Sequence, residues 1–90
     1  MYDLASDYAL FVSMKMSAIV GENIRGFRHS AGWTQEKLAV RANLHNNYIS
    51  MVERGEQGIS VDTLHAIAKA LGVPIDRFLV ESGYKESVKK

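Results

Sequence analysis

Between Arg41 and Gly55 the chain reads RANLHNNYISMVERG, a turn followed by a short helix with two unlike faces. Leu44, Tyr48, Ile49 and Val52 fall on the apolar face, and His45, Asn46, Asn47, Ser50 and Met51 on the other. Asparagine is a poor helix former, so two in a row gain nothing for stability there. Their use is chemical. Each carboxamide carries donors and an acceptor side by side, and the imidazole and hydroxyl beside them donate or accept.

The chemistry of bond breaking is not represented. No Ser/His/Asp set, Gly-rich phosphate loop or metal cluster stands out, which argues against an enzyme. His29, His45 and His65 lack metal-ligand spacing with carboxylates or with each other, so neither metal nor cofactor is implied. The chain has no cysteine, hence no disulfide framework and no thiolate, which suits a reducing cytoplasm. The apolar stretch from Tyr8 to Val20 is interrupted by Lys15 and serines. It is too short and too polar to span a bilayer, and it lacks the basic start and cleavage site of a signal peptide.

Ninety residues allow one small domain, and an apolar fraction of 47% supports a modest core. The net charge of +1 is low for a nucleic-acid binder. Its distribution is uneven, however. Asp3 and Asp7 make the N-terminal segment negative. Arg25, Arg28, Lys37, Arg41 and Arg54 outnumber Glu36 and Glu53 in the middle of the chain. That local surplus is compatible with a phosphate-facing surface.

The elements that must position these groups read as helices throughout, with little strict alternation. A first segment runs from about Asp3 to Met14, with Leu4, Tyr8, Phe11 and Val12 on one stripe. A second starts near Ser17 as N-cap and ends near Ala31-Gly32, with Ile19, Val20, Ile24, Phe27 and Ala31 inward. A third starts at Thr34, runs to Ala42, and is ended by Asn43 in the left-handed conformation. The fourth is the quoted helix, stopped by Gly55. The fifth runs from Ser60 to Leu71, with Gly72 as its stop. The sixth is PIDRFL, from Pro74 to about Val80, contributing Ile75, Phe78 and Leu79 to the core. The glycines fall mainly at element ends, and a polar tail from Gly83 is expected to be loose. Three regions result: an N-terminal helical extension (1–16), a domain (17–82) and a flexible tail (83–90).

The third and fourth segments meet the demands of a helix-turn-helix unit. Ala39 supplies the small residue at a steep crossing, Asn43 a turn residue tolerant of positive φ, and Leu38, Ala42, Leu44, Ile49 and Val52 the anchors. From Val20 to Leu79 the chain resembles the Cro/phage-repressor-type (Xre-like) helix-turn-helix family. The matching stretches are GENIRGFRHSAGWTQEKLA, LHNNYISMVERG and SVDTLHAIAKALGVPIDRFL. The resemblance implies an all-α, five-helix phage-repressor-like domain, here with an extra N-terminal helical segment. It also implies binding of double-stranded DNA as a homodimer in transcription regulation, as a repressor or activator. The nearest members are small stand-alone regulators, such as controllers of restriction–modification operons and antitoxin-type repressors.

In such domains the second helix of the motif enters the major groove N-terminal end first. His45, Asn46, Asn47, Ser50 and Met51 are then the base-reading set. Asparagine holds adenine bidentately through N6 and N7, and Met51 suits a thymine methyl. The glutamine opening the first helix of the motif contacts the sugar-phosphate backbone in the family, a role that passes to Gln35. Arg54, Gln57 and Ser60 lie where the family makes further backbone contacts, and Lys37 and Arg41 are candidates on charge alone. An Arg and a Glu at the places of Arg28 and Glu53 pair in the family and tie its first helix to the recognition helix. Many relatives carry Arg where this chain has Asn46 or Met51, so this recognition face is nearly neutral. Trp33 reads as packing between the second and third segments.

The stripe of Tyr8, Phe11 and Val12 marks either an interface between copies or a segment folded back on its own domain. Arg77 and Phe78 are a second candidate dimer contact. A dimer implies two recognition helices about 34 Å apart on a near-palindromic site. The alternative reading is an antitoxin or other protein-interaction module whose task is to sequester a protein partner, with DNA binding secondary.

Overall fold

Helix starts and stops fall where side chains can serve them. The computed structural model describes residues 4–87, which form five α-helices and one 3-10 turn and no strand. The helices are α1 (Leu4–Ser30), α2 (Gln35–Ala42), α3 (Asn46–Glu53), α4 (Val61–Leu71) and α5 (Gly83–Ser87), with the 3-10 turn Ile75–Phe78 between the last two. The Thr34 hydroxyl caps α2 by accepting from the Lys37 N–H at 3.0 Å. Ser60 caps α4 by accepting from the Thr63 N–H at 3.1 Å. Asn43 (φ 59°) and Gly72 (φ 70°) end α2 and α4 in the left-handed region, which these two residue types enter at least cost.

Four expectations about the elements are corrected. The first and second segments are one uninterrupted helix, and Ser17 caps nothing. Lys15, Met16 and Ala18 are good helix formers, and neither glycine nor proline stands near the expected break. The sixth segment is a 3-10 turn, and the segment from Gly83 is a helix, so 83–87 is no loose tail. Tyr84 accounts for that helix, packing against the core. Ala31 is exposed, because α1 has ended by then and the chain turns through Gly32. The expected start at Asp3 and residues 88–90 lie outside the described residues.

The core draws on every element from the second half of α1 onward. Val20, Ile24 and Phe27 meet Leu38, Ala39 and Ala42 of α2, Ile49 and Val52 of α3, Leu64, Ile67 and Ala68 of α4, and Phe78. Phe27 and Phe78 pack as tilted rings with centroids 4.9 Å apart. Two glycines stand inside α1, away from the element ends where the others mainly fall, and make close approaches there. A Cβ at Gly21 would lie 2.2 Å from the Val52 carbonyl oxygen, and one at Gly26 would lie 2.2 Å from the Tyr84 ring. Gly21 thus sets how near α1 and α3 can come.

Asn23 is fully buried among these apolar residues. Its amide nitrogen donates to the carbonyls of Phe78 (2.9 Å) and Val80 (2.8 Å), and its oxygen accepts from the Tyr84 N–H (3.2 Å). One side chain therefore closes the C-terminal segment onto α1. Burying an amide without such partners would be costly.

Candidate nucleic-acid interface

α2 and α3 cross at Ala39, which is 3% exposed and leaves room for the turn. The turn is closed by the Leu44 N–H donating to the Ala39 carbonyl at 2.8 Å. Leu38, Ala42, Ile49 and Val52 are buried and fix both helices, so the opposite side of α3 faces out. His45, Asn46 and Asn47 are exposed at its N-terminal end, and Ser50 and Met51, one turn further, are half-buried. His45 occupies the N-cap position, yet its imidazole makes no capping bond, so the ring is not consumed by the helix. His45 and Asn46 line a shallow cleft with Glu36, Val40 and Leu44. On the inner side, burial pushes the Tyr48 phenol up from its ordinary value, against a smaller lowering by its hydrogen bond with Thr63.

Behind α3 stands a charged network. Arg28 donates from Nε to Glu53 Oε2 at 2.6 Å and from a terminal nitrogen to Oε1 at 3.0 Å. These side chains are 8% and 3% exposed. Arg28 also donates to the Trp33 carbonyl at 2.8 Å, and Gln35 Nε2 donates to Glu53 Oε1 at 3.0 Å. Glu53 thereby joins α1, the turn before α2, α2 itself and α3. One amide hydrogen of Gln35 is spent on this network, which orients the side chain at the α2 N-terminus. The Trp33 ring, half-buried between α1 and α2, lies under the Lys37 ammonium (5.1 Å) and the Arg41 guanidinium (5.4 Å).

The end of α3 holds a second, exposed network. Arg54 donates to both oxygens of Glu56, each at 3.0 Å, and to the Ser50 hydroxyl. The hydrogen bond and charge of Glu56 raise the Arg54 guanidinium, and Arg54 in turn lowers the Glu56 carboxyl. Two residues assigned different tasks from the sequence, Ser50 and Arg54, are thus bonded to each other. The Ser60 hydroxyl donates to Thr63 Oγ1 at 2.9 Å while capping α4, so its single hydrogen is committed. Gln57 is exposed in the loop between α3 and α4.

The structure therefore divides the sequence-derived set. Gln35, Ser50 and Arg54 come together in one cleft with Arg25, Arg28 and Glu53. His45 and Asn46 border a different cleft at the other end of α3. The dimer candidates separate as well. Tyr8 and Phe11 are 71% and 62% exposed, and Val12 is exposed with them. Phe78 is corrected: it is wholly buried against Phe27, because the 3-10 turn points it into the core. Its neighbours Leu79 and Val80 are the ones left exposed. Arg77 is half-buried.

Sequence reasoning missed Asn23, Gly21 and Glu56. Asn23 was detectable as a polar residue on the inward stripe, three residues after Val20. Gly21 was detectable as a glycine in mid-helix. Glu56 lies two residues beyond Arg54, across the end of α3, where no helical spacing rule pairs them.

Residues 24–78 match the helix-turn-helix family HTH_3. The control protein C.SmaI of Serratia marcescens is 38% identical over 72 residues, spanning 80% of this chain and 86% of that protein. The control protein C.BamHI of Bacillus amyloliquefaciens is 45% identical over 56 residues, 61% of this chain and 69% of that protein. Among solved structures, the hypothetical transcription factor NHTF from Neisseria superposes with a TM-score of 0.73 at 32% identity, covering 82% of this chain and 85% of that one. The restriction-modification controller protein C.AhdI from Aeromonas hydrophila superposes with a TM-score of 0.66 at 31% identity, covering 71% and 96%.

Proposed function

The chain belongs to the helix-turn-helix family HTH_3 and is a DNA-binding transcription regulator, and we propose that it acts as a homodimer on a two-fold symmetric operator. α3 enters the major groove N-terminal end first, and His45, Asn46, Asn47, Ser50 and Met51 address base edges. The observation that carries this reading is the division of α3. Its inner side is buried, while three polar side chains at its N-terminal end are exposed and spent on no capping bond.

Phosphate contacts fall to Gln35 and the α2 N-terminus, where backbone N–H groups favour an anion. Lys37, Arg54, Gln57 and the Ser60 turn complete the set. Arg28 is neutralised by Glu53 and Arg54 is paired with Glu56, which supports a weak nonspecific term and a dependence on base contacts. The reading assigns no enzymatic step and places the protein in the cytoplasm. No helix among the described residues is long and apolar enough to cross a membrane.

Selection of sites from randomised duplex DNA, at low and at physiological salt, tests this. A two-fold symmetric site is expected, its half-site preference lost with Asn46→Ala or Asn47→Ala. A good bidentate pair contributes about 1–3 kcal/mol of discrimination. Binding that enriches no sequence and vanishes with modest salt would leave only the phosphate term. The second reading, a module that sequesters a protein partner, would then lead, and the exposed apolar half of α1 is the observation in its favour.

A further inference from the structure

The N-terminal half of α1 projects from the domain. Tyr8, Leu10, Phe11 and Met14 are each more than 60% exposed on it. Apolar side chains in that number mark an interface rather than a solvated face. Asp7, Tyr8, Phe11, Met14, Lys15 and Ala18 are all exposed and share one side of the helix. Phe11 and Ala18, Asp7 and Met14, and Tyr8 and Lys15 are each seven residues apart, the repeat of a helix-pairing seam. Phe11 lies nine residues, two and a half turns, before the buried Val20, so the seam points away from the core. From Asp7 to Lys15 a second helix can lie along it; beyond that the same side of α1 is taken up by its own domain, Ala18 lying beside Gly55 and Gly21 against α3.

We infer that the seam takes the same segment of a second copy, antiparallel, with the two-fold axis at Phe11. This rests on the homodimer reading and names the surface that makes it. The charges decide the direction. Antiparallel pairing centred on Phe11 sets Asp7 against the partner's Lys15 and Tyr8 against the partner's Met14. A parallel pair would set aspartate on aspartate and lysine on lysine. The pattern is thus self-complementary under a two-fold axis, as an isologous interface requires. Lys15 is already held 3.3 Å from Glu81, with both side chains more than half exposed, and so has room for the partner's Asp7. Two copies of Tyr8, Phe11 and Met14 with their flanks bury on the order of 1,000 Å², the lower end for a specific contact.

Sedimentation equilibrium of the full chain is the test, with melting temperature as the control for folding. Phe11→Glu puts two carboxylates on the axis and is expected to weaken self-association at least about tenfold, with the melting temperature unchanged. In a Glu81→Gln background, Asp7→Lys weakens it and Asp7→Lys with Lys15→Asp restores it, a rescue that only the antiparallel register allows. Absence of that rescue overturns the inference. Dimers that survive Phe11→Glu and Asp7→Lys but separate with Val80→Glu also overturn it, and leave the dimeric regulator standing. A chain that is monomeric at every concentration and selects no two-fold site overturns both.

Discussion

Glu53 of α3 receives Arg28 of α1 through two hydrogen bonds, at 2.6 and 3.0 Å, in a setting where both side chains are almost wholly buried. The pair is the mechanical link between the helix that forms the frame and the helix that faces out. Removing one partner strands the other charge, at a cost of about 3–5 kcal/mol. Glu53→Ala is therefore expected to lower the melting temperature by more than about 10 °C and to abolish DNA binding with it. Arg28→Met with Glu53→Met should recover much of the loss, since neither charge is then buried. An unchanged melting temperature in Glu53→Ala would remove the pair from the structural account.

Asn23 makes a separate prediction. Asn23→Ala removes the donor to the Phe78 carbonyl and the acceptor of the Tyr84 N–H, while the Val80 carbonyl keeps the Gly83 N–H at 3.1 Å. The expected destabilisation is about 1–3 kcal/mol, read as a shift in the urea midpoint. Hydrogen exchange at the Tyr84 amide should accelerate more than at amides of α2. Equal acceleration everywhere would mean that Asn23 does not act locally on the C-terminal segment.

Gly21→Ala tests the approach of α1 to α3. The added methyl would meet the Val52 and Glu53 carbonyl oxygens at 2.2 and 2.9 Å, and backbone cannot swing aside as a side chain can. Overpacking of this kind costs typically about 1–3 kcal/mol, and here it also displaces α3. Gly58→Ala, with nothing within 4 Å of the added atom, is the matched control and should be neutral. The two variants are compared by thermal melting.

The exposed pair Arg54–Glu56 bears on electrostatics rather than stability. Glu56→Gln frees the Arg54 guanidinium, and the slope of log affinity against log salt should steepen by about 0.9, one phosphate's worth. The pH dependence has a definite sign. Glu56 is held below its ordinary value by Arg54, so the pairing is complete above that value and is lost as pH falls through the folded-state one. Acidification should therefore mimic Glu56→Gln in salt-titration measurements. A slope that ignores both changes would detach Arg54 from the phosphate contacts.

Local physical chemistry made much of this molecule legible from its residues. The caps Thr34 and Ser60, the left-handed stops Asn43 and Gly72, and the apolar spacing of α2 to α4 are properties of neighbours in the chain, and the sequence determined them. So did the two faces of α3, because helical periodicity sorts Ile49 and Val52 from Asn46 and Asn47 whatever surrounds them. The merging of two segments into α1 was legible too, since Lys15, Met16 and Ala18 favour a continuous helix. Which of Ile75, Phe78 and Leu79 the core takes was decided elsewhere, because the direction of a side chain in a 3-10 turn depends on what packs above it. The bonds from Asn23 to Phe78, Val80 and Tyr84 join positions more than fifty residues apart. The carbonyls facing Gly21 belong to another helix. Only tertiary packing brings such groups within hydrogen-bonding or van der Waals distance, and no local periodicity encodes the partners.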